Sequence, residues 1–145
     1  MRKTGSLLAV FILVKFLLQY WVLSPEYDLQ RDEYLHLDQA HHPAWGFQSV
    51  PPVTSWISLL IYWLGNSVFW VKFFPALFGA LAIIVVWQTI RLLGGGWFAL
   101  SAGAMGVLFS ALLRLNTLFQ PNSLDVLCWT ALFACWIYYV HTRKS

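Results

Sequence analysis

Asp32 and His36 stand four residues apart, and so do Asp38 and His42. On a helix this spacing sets each carboxylate and imidazole on one face, where the two can form a surface ion pair, ligate a metal, or act as acid and base in proton transfer. Further along, Asn122, Ser123 and Asp125 follow Pro121. Asn or Ser there caps a helix, and Asp125 favours its positive end. Arg114 ends an apolar run, where it can snorkel or hold an anionic headgroup or lipid phosphate. Lys15 lies inside another such run, at a cost of about 2.5–3.5 kcal/mol on insertion scales, and so requires a polar partner that the sequence does not name. Lys72 lies near a run's outer end and can snorkel, so it is assigned no role.

The elements that position these groups belong to a membrane. Charged residues make up 10% of the 145 and hydrophobic residues 59%, against about 25% charged in a soluble domain. Such a chain is neither a soluble globule nor disordered. Its nine Lys and Arg are scattered between apolar segments rather than clustered on a face, so nucleic acid is excluded as a partner. Cys128 and Cys135 are seven apart in one apolar run, about 10 Å along a helix, too far for a disulfide. They read as small buried residues.

The expected fold is all-α: a multi-pass membrane protein with four transmembrane helices and two short juxtamembrane helices in the first outer loop. The spans run at about 5–23, 69–93, 97–115 and 123–140, with the outer loop at 24–68. The first is a retained span rather than a signal peptide, because Trp21, Val22 and Leu23 stand where small residues would mark cleavage. Gly94, Gly95 and Gly96 separate the second and third. Val53–Leu64 is too short to cross, at about 18 Å against a core of roughly 30 Å. Its apolar positions recur at helical spacing after Pro51 and Pro52, as in an interfacial helix. Leu29 to His42 suits the other short helix, with Asp28 as its N-cap. The rows Ala99/Gly103 and Ala102/Gly106 let helices approach closely.

Arg2, Lys3, Arg91, Arg143 and Lys144 fall on one side only if the number of crossings is even. That places both termini in the cytoplasm; the membrane expected is the plasma (inner) membrane. Glu26, Asp28, Asp32, Glu33, Asp38 and Asp125 then all lie outside, with His36, His41 and His42. A long polar loop with its own structure is where function concentrates.

Several motifs occur in one order: Arg31-Asp32-Glu33-Tyr34, Ala44-Trp45-Gly46-Phe47, Pro51-Pro52-Val53-Thr54, Phe73 to Ala80, the glycine turn, and Gln120-Pro121-Asn122-Ser123-Leu124-Asp125. Together they resemble the start of the membrane glycosyltransferases that use polyprenyl-phosphate sugars, the protein O-mannosyltransferase and aminoarabinose transferase-like superfamily. The resemblance implies a transfer outside the cytoplasm. It makes Asp32 and Glu33 the catalytic acidic pair, Asp32 being the base that activates the acceptor. It makes Arg114, Asn122, Asp125 and His36 substrate-binding candidates, Arg114 for the lipid phosphate. It implies as partners a polyprenyl-phosphate-linked sugar, membrane lipid, and a further carboxy-terminal segment or second subunit, because relatives have more spans. Ser49 and Val50 stand where relatives carry charged or polar residues, so no metal site is assigned, and no cofactor is named. The competing readings are a non-catalytic four-span protein that binds lipid-linked sugar or another subunit, and a transporter piece using Lys15.

Overall fold

The computed structural model describes residues 2–23, 28–48 and 50–143, the side chains of Arg2 and Lys3 excepted. Glu26, Ser49 and Lys144, invoked above, lie outside the described residues. Among those described, the chain is helical throughout: α1 (Arg2–Val22), α2 (Arg31–Asp38) with a 3-10 turn at Gln39–His41, α3 (Pro52–Trp63), α4 (Val68–Leu92), α5 (Trp97–Leu108), α6 (Leu112–Leu115) and α7 (Pro121–Arg143). Three of these helices, α1 from Thr4, α4 and α7, are long and apolar enough to cross a membrane.

The centre is α4, against which α1, α5 and α7 all lie. Ring contacts pair Phe16 with Phe73 and Phe11 with Trp87, so α1 runs antiparallel to α4. Ile83, Trp87, Leu100, Ala104 and Leu108 form the main apolar cluster, flanked by Leu7 and Phe11 of α1. Between helices embedded in lipid such clusters hold by close van der Waals packing, many small contacts summed. A second cluster of Ile61, Val71 and Phe119 seats α2 and α3 on the end of the bundle. This end carries the outer loop of the sequence reading.

The helix α4 ends at the glycine turn, where Gly94 takes φ +79° and the Gly95 N–H reaches the Ile90 carbonyl at 2.9 Å, a glycine C-terminal arrangement. Gly65 (φ +96°) and Asn66 (φ 49°) turn α3 sharply into α4.

The stretch 97–115, expected as one span, is broken. Ser110 Oγ donates to the Val107 carbonyl at 2.8 Å and accepts the Leu112 N–H at 3.2 Å, so a side chain takes over bonds a continuous helix would make. Helix α5 alone is 12 residues long, about 18 Å. Three further expectations change. Asp28 does not cap α2, whose N-cap is Gln30. Cys128 and Cys135 are exposed, because α7 turns most of its surface away from the bundle. Of the small-residue rows, only Ala99/Gly103 meets α4. A Cβ on Gly103 would come 2.3 Å from Ile90 Cδ1, and one on Gly106 would meet nothing.

Candidate functional site

The two adjacent acids of α2 have opposite surroundings. Glu33 is fully buried. Its Oε2 accepts the Gln30 N–H at 2.9 Å, its Oε1 accepts the Phe119 N–H at 2.8 Å, and Lys72 Nζ donates to both oxygens at 2.8 and 2.7 Å. One carboxylate therefore joins α2, α4 and the turn before α7. Charge-assisted bonds of this kind are the strong ones, and they use up the carboxylate's acceptor capacity. Asp32 is half-exposed, at 48% of its side-chain surface, with Arg31 Nε 3.5 Å from Oδ1 and itself solvated. Gln120 Nε2 donates to Asp32 Oδ2 at 3.2 Å, and Asn122 Nδ2 donates to Gln120 Oε1 at 3.3 Å.

Lys72 belongs to the site, contrary to the reading that gave it no role. The available signal was a cation at the acid-rich end of its helix. Phe119 and Thr117 carry no role in the sequence reading, and Gln120 enters it only as the first residue of the Gln120-Pro121-Asn122-Ser123-Leu124-Asp125 motif.

Beside Glu33 opens a cleft of about 1000 Å³, walled by Tyr20, Trp21, Lys72, Arg114, Thr117 and Leu118 among others. Arg114 on α6 is exposed and faces this cleft. Among the described residues its guanidinium has no carboxylate partner, whereas the Lys72 charge is matched by Glu33. Among the described residues, the cleft thus carries a guanidinium with no ion-pair partner beside an apolar wall. Asp28 also lines it. Tyr34 Oη donates to Asp28 Oδ2 at 2.7 Å and the Leu29 N–H to Oδ1 at 2.8 Å. Those bonds hold the Asp28 carboxyl below its ordinary value, and the same contact raises the Tyr34 phenol.

The other candidates are spread around this centre. His36 is buried, edge-on to Phe119 with ring centroids 6.5 Å apart, and its Nδ1 has no partner among the described residues. Burial pushes its imidazole down, opposed by Gln39, Asp32 and Glu33. Ser58 Oγ, on α3, lies 2.7 Å from the His36 carbonyl, which fastens the two short helices together. Asn122 reaches Asp32 only through Gln120. Asp125 is exposed on α7, away from the cleft lining. Asp38 and His42 are exposed, and His41 rests edge-on against Tyr62 at 5.2 Å. Ser123 does not cap α7, since its Oγ donates to the Leu115 carbonyl at 3.2 Å from inside the first turn. Pro121 opens that helix, a position that suits its missing N–H. Among the described residues no three His, Cys, Asp or Glu gather as metal ligands.

Lys15 finds its partner on its own helix: its ammonium donates to Gln19 Oε1. Both side chains are buried. The Lys15 stem and the Asn116 amide fill the space left by the missing Cβ of Gly79.

A family model described as dolichyl-phosphate-mannose-protein mannosyltransferase matches residues 49–145. The match takes in Arg114, Gln120, Asn122 and Asp125 and begins after α2, so Asp32 and Glu33 precede it. No curated protein and no solved structure matches the chain.

Proposed function

Since the chain belongs to the dolichyl-phosphate-mannose-protein mannosyltransferase family, we propose that it carries the acceptor-activating and phosphate-holding part of a membrane glycosyltransferase. The donor is a polyprenyl-phosphate-linked sugar, and transfer takes place on the extracytoplasmic side. The acceptor hydroxyl attacks the anomeric carbon as the bond to the lipid phosphate breaks, inverting that centre. Asp32 takes the hydroxyl proton. Arg114 holds the departing phosphate, and the apolar wall from Tyr20 to Leu23 receives the first part of the lipid. A positioned general base is worth about 10²–10⁴-fold in rate, and a cation placed where charge develops adds to that.

The observation that carries this reading is the difference between the two adjacent carboxylates. Glu33 is buried and accepts four hydrogen bonds from three donor groups, which leaves it no lone pair for an incoming proton. Asp32 has one neutral donor, a loose contact to the solvated Arg31 at 3.5 Å, and an open face.

Four crossings are supported by direction. Lys72, near the start of α4, and Phe119, just before α7, both bond Glu33, so α4 and α7 start from the same end. If α4 crosses, residues 93–119 cross back, as the broken α5–α6 segment. The acids of the described residues, Asp28, Asp32, Glu33, Asp38 and Asp125, belong to that end, and Arg91 and Arg143 to the other. Cytoplasmic flanks collect Arg and Lys, which favours an outer site with cytoplasmic termini.

The test is transfer from polyprenyl-phosphate mannose in membranes carrying the protein with Asp32→Asn. The expected outcome is a loss of at least 10²-fold with the fold intact. Unchanged transfer removes Asp32 from the mechanism.

A further inference from the structure

We infer that Gln120 is a positioning residue for Asp32, and that Asn122 helps set which way its amide faces. The inference rests on the reading of Asp32 as the base and adds to it the device that aims the carboxylate. A half-exposed Asp at the start of a short helix has free rotation about its side chain unless something holds it. Arg31 cannot, because its side chain is 96% exposed and stands 3.5 Å off. The remaining contact is Gln120 Nε2 on Oδ2 at 3.2 Å.

An amide can present either its NH2 or its oxygen, and only the NH2 serves a carboxylate. Asp32, an acceptor only, draws the NH2, and Asn122 reinforces that orientation from the other side. Its Nδ2 donates to Gln120 Oε1 at 3.3 Å, so the Gln120 oxygen is occupied and its NH2 is turned to Asp32. The Gln120 amide fixes Oδ2 with a neutral group, and leaves Oδ1 with the loose contact to the solvated Arg31 Nε at 3.5 Å. The backbone at this point is itself fixed. The Phe119 N–H is bonded to Glu33, and Pro121 begins α7. The buried acid thus holds the segment whose next side chain aims the exposed one.

Two measurements test this. The first needs no activity. In the chain reconstituted in phosphatidylcholine nanodiscs, the side-chain amide protons of Gln120 are expected to shift upfield on Asp32→Ala, as they lose a charged acceptor. Unmoved resonances overturn the contact. The second uses membranes carrying the protein and a labelled polyprenyl-phosphate mannose. Gln120→Glu sets an acceptor against an acceptor and is expected to lower kcat about 10- to 100-fold with donor KM within twofold, since misplacing a reacting group by about 1 Å can cost 10²-fold.

Asn122→Asp keeps the exposed position and its size but attracts the Gln120 NH2 away from Asp32. It is expected to lower kcat nearly as much, whereas Asn122→Ala, which leaves Gln120 free to donate, costs only a few-fold. An Asn122→Asp protein no slower than Asn122→Ala, or a Gln120→Glu protein that changes KM alone, overturns the assignment. Transfer that survives Asp32→Asn overturns the reading of the base instead, and the amide-proton shift still decides the contact.

Discussion

The two ends of the helical bundle are built on different principles. At the end that carries α2 and α3, the outer end of the proposed topology, the Lys72 side chain of α4 and the Phe119 N–H of the turn before α7 converge on one buried carboxylate of α2, from 39 and 86 residues away. At the inner end, α4 turns into α5 through glycine backbone geometry. There Arg91 stands exposed, and Arg143 lies over the Tyr139 ring at 4.7 Å. An open groove of about 660 Å³ separates α4 from α7 beside Gln88, Ala134 and Tyr138. Directional polar bonds fix positions to a few tenths of an ångström, whereas apolar contact and a glycine turn fix only the path of the chain. The precise end is the one that holds the proposed chemistry.

The sharpest way to break that contrast is to remove its centre. Glu33→Ala leaves a mostly buried ammonium and the Phe119 and Gln30 N–H groups without their acceptor. Removing one member of a buried pair costs about 3–5 kcal/mol. Arg91→Ala, on the exposed inner surface, is expected to stay within about 0.5 kcal/mol. Equilibrium denaturation in detergent micelles measures both. Equal losses at the two ends would abolish the distinction.

A layer below the site, Gly79 separates the polar end from the apolar middle. A Cβ there would come 2.0 Å from Asn116 Nδ2 and 2.8 Å from Lys15 Cε. Both of those side chains are buried and must shift to admit the methyl, so Gly79→Ala is expected to cost about 1–3 kcal/mol through overpacking. Gly106→Ala, on a surface where a Cβ meets nothing, is expected to stabilise slightly, because alanine favours a helix by up to about 1 kcal/mol. Thermal melts of the two variants sharpen the comparison. Similar shifts in one direction would mean that the layer around Lys15 is not close-packed.

How much of this is written locally in the sequence differs between the same regions. The apolar runs and the glycine turn specify α1, α4 and α7, and periodicity after Pro51-Pro52 specifies α3 nearly to the residue. Those signals depend on neighbours three or four positions away. The break at Ser110 escapes them, because an apolar run looks the same whether or not its helix continues. The difference between Asp32 and Glu33 escapes them too. Two adjacent acids are alike until Lys72 and Phe119, distant in sequence, saturate one of them. Lys72 was passed over because a lysine near a helix end can always snorkel, a local argument that ignores which charges lie across the fold. Gln120 carries no local signal beyond its place before Pro121. The separation of the proposed base from its structural neighbour is therefore a tertiary property.

A smaller effect distinguishes the interior of the outer end from its rim by pH. Burial holds the His36 imidazole below its ordinary value, so the unfolded chain binds the proton first as pH falls through about 6.5. Stability from this group is complete above that value and is lost progressively below it, down to the depressed folded value. Protection factors of the α2 amides, with the intrinsic exchange rate at each pH divided out, are expected to fall between pH 7.5 and 5. The His36→Gln variant should flatten the response. A dependence that survives the substitution would assign it to other groups.

The smallest effect lies at the rim itself. Asp28 and Tyr34 are exposed, so Tyr34→Phe is expected to lower the midpoint of unfolding at neutral pH only slightly, solvent replacing most of the lost bond. The proton equilibrium should still report it. The Tyr34 hydroxyl is the largest cause of the low Asp28 value, and the Leu29 N–H is second. Removing the hydroxyl should move the Asp28 carboxyl part of the way back up, with the Leu29 bond retaining the remainder. A carbon-13 titration of the Asp28 carboxyl in nanodiscs reads this directly. An unmoved midpoint would mean that Tyr34 turns to solvent instead, and that directional bonding at the outer end stops at its buried interior. A full return would mean that the Leu29 N–H bond depends on the phenol holding the carboxylate in place, so that the cleft rim is ordered as a unit with the site behind it.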